Sequence, residues 1–153
     1  MKKISQLVIA IAIAQSAGVI GSFATISAIP TWYAELAKPF FSPPNWLFGP
    51  VWIFLYILLG VSLFLIWQTK KEKKVALTLF FVHLGLNALW SIIFFGLHNP
   101  FFAFLEILLL VGSLLLVFRL FWPISKTAVY LLIPYLLWIS FATVLNFAIW
   151  QLN

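Results

Sequence analysis

KPFFSPPNWLFGPVWIFLY, Lys38–Tyr56, concentrates four prolines, two tryptophans, four phenylalanines and a glycine in a chain that otherwise reads as plain apolar helix. It divides at Ser42. Lys38–Phe41, stiffened by Pro39, reads as the end of a loop. From Pro43 onward the apolar residues run unbroken enough to cross a bilayer, with Ser42 placed to cap the new helix and Pro43 at its first position, where a missing N–H costs nothing. Trp46 falls near an interface, Trp52 and Tyr56 share one face, and Pro50 should kink or loosen the helix beside Trp52.

The rest of the chain sets the solvent as lipid. Of 153 residues 65% are hydrophobic and 8% charged, against roughly 45–50% and 25% in soluble domains; the mean hydropathy is +1.15. About 20 apolar residues span a bilayer as a helix, and five such spans are predicted, at 4–29, 45–68, 75–97, 101–121 and 126–150. The fold class expected is therefore all-α, an integral membrane five-helix bundle, with residues 1–153 forming one transmembrane domain and 30–44 an outer loop. Pro30 ends the first span, Asn99–Pro100 and Pro123–Ser125 supply cap-and-proline starts for the fourth and fifth, and Pro134 should disturb the fifth. Met1-Lys-Lys, an apolar run and Ala12-Ile-Ala14 also resemble a signal peptide, but apolar character continues to Ile29 and favours a retained helix.

The net charge of +6 does not point to nucleic acid, because the basic residues sit in short loops. Lys2, Lys3, Lys70, Lys71, Lys73, Lys74, Arg119 and Lys126 fall on one side and Lys38 alone on the other. The positive-inside rule puts the N-terminus and Lys70–Lys74 in the cytoplasm and the C-terminus outside. Absence of cysteine excludes disulfides, thiolate metal sites and c-type haem attachment.

Small or polar residues mark inward faces in lipid. Span one carries Ala14, Gly18 and Ser22 four apart, beside Ala17 and Gly21; span three His83, Asn87 and Ser91, with Trp90 adjacent; span five Trp138, Ala142 and Asn146. These stripes suit ordinary bundle packing with aromatic filler, or an aromatic cavity with a few polar anchors. Trp32, Trp46, Trp122 and Trp150 lie near span ends, where interfacial anchoring explains them. Trp90 and Trp138 lie deeper.

Little else carries chemistry. Glu106 is the one acid well inside a span, expected to be held by snorkelling or by a neighbour, and a single acid makes a poor proton relay. His83 and His98 are fifteen residues apart, about 22 Å along a helix, too far to clamp one iron; no metal site is expected. Glu35 and Lys38 read as a weak surface pair. No paired carboxylates, nucleophile–base set or phosphate loop is present.

WYAELAKPFFSPPNWLFGPVWIFLY (Trp32–Tyr56), NALWSIIFF (Asn87–Phe95) and YLLWISFATVLNFAIWQLN (Tyr135–Asn153) together resemble the TspO/translocator protein family, also called tryptophan-rich sensory proteins or peripheral-type benzodiazepine receptors. The resemblance covers nearly the whole chain. It implies a five-helix bundle, commonly a homodimer, binding protoporphyrin IX and isoquinoline carboxamide drugs with no cofactor required. It implies a pocket involving Trp52, Asn87, Trp90, Trp138, Phe141, Ala142 and Asn146 under a lid at 30–44 that includes Tyr33. Some bacterial members promote light- and oxygen-dependent porphyrin breakdown, for which Trp138 and Trp52 would be the oxidisable partners. Transport of porphyrin or another lipophile, and a ligand-dependent regulatory scaffold, are the alternatives. Where animal members carry a sterol-recognition pattern built on Tyr and Arg, this chain has Phe147 and Gln151, so high-affinity sterol binding is not expected.

Overall fold

The computed structural model describes residues 2–153 and contains five helices long and apolar enough to cross a membrane. They are α1 (Lys3–Ala28), α3 (Asn45–Gln68), α4 (Lys74–Ser91) continued by a π-helical turn at Ile92–Gly96, α5 (Pro100–Phe121), and a last span divided into α6 (Lys126–Leu131) and α7 (Ile133–Leu152). A short helix, α2 (Trp32–Glu35), lies in the outer loop. The protein is an all-α, multi-pass integral membrane protein.

Several helix ends follow from local chemistry. Asn99 accepts a hydrogen bond from Phe102 N at 3.0 Å with Pro100 at the first helical position of α5, and Ser125 accepts from Ala128 N at 3.3 Å at the start of α6. Pro134 cannot donate an N–H, and the last span breaks at Leu132, just before it. The start of α3 differs from expectation. Ser42 and Pro43 both precede the helix, which begins at Asn45 with extended Pro44 as its N-cap. With two successive prolines, the second holds Pro43 in an extended conformation, so the helix cannot begin there. Pro50 does not interrupt α3.

Packing follows the small residues. α1 buries Ala10, Ala14, Ala17 and Gly21, and at Gly60 of α3 a Cβ would fall 2.4 Å from the Ile11 Cα. The two backbones therefore touch at that level, the close approach small residues permit in lipid. The larger core, with Leu59, Leu63, Phe80, Leu110, Leu114 and Phe121, fills the centre of the bundle and its lysine-rich half. A smaller cluster of Tyr33, Phe94, Ala103, Leu145 and Ile149 sits under the outer loop.

At the lysine-rich end, basic side chains satisfy carbonyls left free at helix termini. Lys73 donates to Trp67 O at 2.9 Å and to Thr69 O, and Lys71 to Pro123 O and Ile124 O. The outer loop is fastened at two points. Trp32 stacks on His98 at 4.5 Å, and the Asn153 carboxamide both accepts from Ala37 N and donates to Ala37 O, each at 3.0 Å. Lys38 does not pair with Glu35. Its ammonium donates to Leu36 O at 3.1 Å and lies 4.6 Å from the Tyr33 ring centre, where backbone and aromatic partners together hold it more firmly than an exposed ion pair would.

Candidate functional site

α1 and α3 meet near Gly60 and again at Gly18, where a Cβ would lie 2.5 Å from the Tyr56 ring. Outward of that crossing they enclose a cavity of about 560 Å³ with α4, its π-helical turn, α7 and Tyr33 of α2. The inward stripes read from sequence converge on it: Trp52 from α3, Trp90 from α4, and Trp138, Ala142 and Asn146 from α7 all line it. Trp52 is 6.5 Å from Trp138 in an edge-to-face arrangement and 5.5 Å from Tyr56 in a stacked one.

Polar groups on the wall are few and fixed. The Trp90 indole N–H donates to the Asn146 carbonyl oxygen at 3.0 Å, and the Asn146 amide donates to Pro100 O at 2.8 Å. That pair ties α4, α5 and α7 together at the cavity's outer end. The Trp138 indole N–H is buried with no acceptor among the described residues. Tyr33 is 3% exposed, packs on Phe94 and Phe95, and closes the cavity from the loop; burial pushes its phenol above the ordinary value.

Two residues named from sequence stand elsewhere. Asn87 does not line the cavity. It lies behind Tyr56, accepts that residue's hydroxyl proton, and donates to the Tyr135 hydroxyl at 2.7 Å. Phe141 is also off the wall, packed between Trp138 at 5.6 Å and Phe41 of the loop at 6.3 Å, so it buttresses a wall residue and the loop. A helical residue three positions from Trp138 falls on the flank of the stripe that Ala142 and Asn146 continue.

Gly18 and Ser22 of the span-one stripe line the α1 side; their four-residue spacing with Ala14 was visible, but spacing alone does not separate packing from lining. The wall also includes residues the stripes did not suggest, among them Thr25 on α1. Phe94 and Phe95 both face the cavity although adjacent in sequence. The π-helical turn permits this, since its wider ring spreads neighbouring side chains over one face. It closes with Leu97 N donating to Ile92 O at 2.9 Å and leads into His98, whose φ is +52°.

Glu106 neither snorkels nor pairs. It is 5% exposed, and neither carboxylate oxygen has a hydrogen-bond partner among the described residues. Its place on α5 follows the buried row Ala103, Glu106, Leu110 and Ser113, which α4 and α7 cover. No group of three metal-ligating side chains occurs among the described residues.

Sequence comparison agrees with this architecture. The TspO/MBR family profile matches residues 9–151. The chain is 47% identical over 152 residues to the tryptophan-rich protein TspO of Archaeoglobus fulgidus, covering 98% of each. It is 36% identical over 136 residues to protein CrtK of Rhodobacter capsulatus, covering 87% of this chain and 85% of that one. To the human translocator protein it is 37% identical over 126 residues, covering 80% and 75% respectively. With five spans, aromatic stripes that converge on one cavity and matches along nearly its whole length, the chain belongs to the TspO/MBR family.

Proposed function

We propose that the cavity is a receptor site for flat hydrophobic tetrapyrroles such as protoporphyrin IX. One observation carries the reading: Trp52, Trp90 and Trp138 border a single, mostly apolar space of about 560 Å³, within the roughly 300–1,000 Å³ typical of small-molecule sites. Indole and phenyl faces stack on a macrocycle. The unpartnered Trp138 N–H and the Asn146 carboxamide serve its polar edge, since a buried donor without an acceptor gains most from a ligand that supplies one. Asn87 acts through Tyr56 rather than by contact. The homodimer, and displacement by isoquinoline carboxamides, belong to the same proposal.

Titration with protoporphyrin IX, followed by tryptophan fluorescence, should show saturable quenching. Trp138→Phe removes the free donor and should weaken binding about tenfold, the worth of one well-placed hydrogen bond. Quenching that does not saturate in the wild type removes the reading. Light- and oxygen-dependent degradation of the bound macrocycle, with Trp52 and Trp138 as the oxidisable partners that steer it, extends the same proposal; equal rates and products in wild type and Trp138→Phe would take Trp138 out of that chemistry.

The charge asymmetry of the loops puts the N-terminus and Lys70–Lys74 in the cytoplasm and the outer loop and C-terminus outside in this proposal. The native chain has no cysteine, so single substitutions report cleanly. In right-side-out vesicles an impermeant maleimide should label Glu35→Cys and spare Glu72→Cys; the reverse pattern inverts the topology.

A further inference from the structure

Behind the cavity wall runs a chain of buried polar side chains that ligand contact does not use. Its direction can be worked out donor by donor. The Ser113 hydroxyl donates to Leu110 O at 2.8 Å, so it accepts from His83 Nδ1, 2.7 Å away. His83 Nδ1 then carries the proton, and Nε2 presents a free lone pair. Tyr135 lies 2.9 Å from that nitrogen. Its oxygen already accepts from the Asn87 amide at 2.7 Å, so its own O–H points at Nε2. A fully buried phenol is thus hydrogen-bonded to an imidazole in the tautomer that can take its proton.

The same phenol touches the cavity wall. The Tyr135 and Trp52 rings are 6.2 Å apart, and Trp52 is 6.5 Å from Trp138. Three oxidisable rings therefore stand in contact, from the cavity to a tyrosine with a base at its hydroxyl. Tyr56 is the instructive contrast. Its ring is nearer to Trp52, at 5.5 Å, but its hydroxyl donates to the Asn87 carboxamide oxygen, which is not a base. A phenol gives up its electron readily only where its proton has somewhere to go.

We propose that Tyr135 and His83 form a redox relay that returns an electron to an oxidised cavity indole. The source of oxidation is a light-excited planar dye in the cavity, which takes one electron from Trp52, or from Trp138 by way of Trp52, and passes it to O2. The Trp52 radical cation then takes one electron from Tyr135. The phenolic O–H bond breaks and its proton moves to His83 Nε2. The products are neutral Trp52, a neutral tyrosyl radical and an imidazolium hydrogen-bonded to it. Return of the electron from superoxide, which becomes O2 again, with the proton coming back from His83, restores the starting state. The relay shortens the life of the indole radical and spares Trp52 and Trp138 from oxygenation. Its oxidant rests on the tetrapyrrole reading; its principal test does not.

Ultraviolet laser flashes photoionise indoles with no ligand bound, and transient absorption with electron paramagnetic resonance then separates indole from tyrosyl radicals. In the wild type a tyrosyl signal should grow as the indole signal decays, more slowly in D2O than in H2O. Tyr135→Phe should abolish that phase. His83→Gln keeps an acceptor at the phenol but removes the base, and should slow the phase about a hundredfold, the lower range of what a positioned base contributes. The relay is wrong if the wild type yields only indole radicals, if the tyrosyl phase lacks an isotope effect, or if either variant keeps the wild-type rate. The wild-type isotope measurement stands even where a variant folds poorly. A second arm illuminates the protein in air with protoporphyrin IX and maps oxygenation by mass spectrometry. Trp52 and Trp138 should gain oxygen several times faster in Tyr135→Phe, and equal gain with the dye bound overturns the protective role. Failure of protoporphyrin to bind at all sinks the functional reading and leaves the flash experiment to decide the relay.

Discussion

Gly60→Ala should lower the unfolding temperature in detergent by several degrees, through one added methyl group. The new Cβ would lie 2.4 Å from the Ile11 Cα and 2.9 Å from its backbone nitrogen. Backbone atoms cannot rotate aside as a side-chain tip can, so α1 and α3 must separate along their whole crossing. Overpacking a tight core costs about 1–3 kcal/mol, and this contact belongs at the upper end because it is helix against helix. The loss also reaches Ala10, Ala14 and Ala17, whose burial depends on the same approach. Gly112→Ala is the control. Nothing among the described residues lies within 4 Å of its new Cβ, so it should be neutral or slightly stabilising, as Ala is the better helix former. Equal melting of the two variants would mean that the α1–α3 approach does not limit stability.

Gly60 also shows where sequence reading stops. The five spans, the caps at Asn99 and Ser125 and the break at Pro134 were legible, because each depends on local chemistry or on a length of apolar chain. Gly60 was not, since a lone glycine among large apolar residues has no spacing partner to announce a contact. The stripes of Trp52, Trp138, Ala142 and Asn146 were legible as faces, and the structure brings them to one cavity. Asn87 shared the stripe of its helix, yet its partner Tyr135 lies 48 residues away; no periodicity reveals that a tyrosine from α3 stands between it and the cavity. The extra residue of the π-helical turn leaves no pattern either, so Phe94 and Phe95 could not be placed together on one wall. Glu106 fails differently. Its isolation was plain in the sequence, but the expectation that a buried carboxylate finds a partner is statistical, and here it does not hold among the described residues.

Ala142→Phe should abolish tetrapyrrole binding while leaving the bundle folded. Ala142 lines the cavity one helical turn from both Trp138 and Asn146, so a benzyl group there enters the open space between the stacking surface and the polar anchor. It meets cavity rather than packed core, which separates this change from overpacking at Gly60 and predicts a melting temperature near that of the wild type. Phe costs only about 0.5 kcal/mol of helix propensity relative to Ala. A rigid macrocycle cannot fold around the obstruction, so affinity for protoporphyrin IX should fall about a hundredfold or more, some 2.7 kcal/mol. Leu137→Phe, on the same helix at a position 67% exposed toward lipid, should change neither binding nor melting. A folded Ala142→Phe protein that still quenches with wild-type affinity would show that the macrocycle binds somewhere else on the protein. A weakened Ala142→Phe beside an unaffected Leu137→Phe would locate it between α3 and α7, against the indole of Trp52 that Tyr135 is positioned to re-reduce.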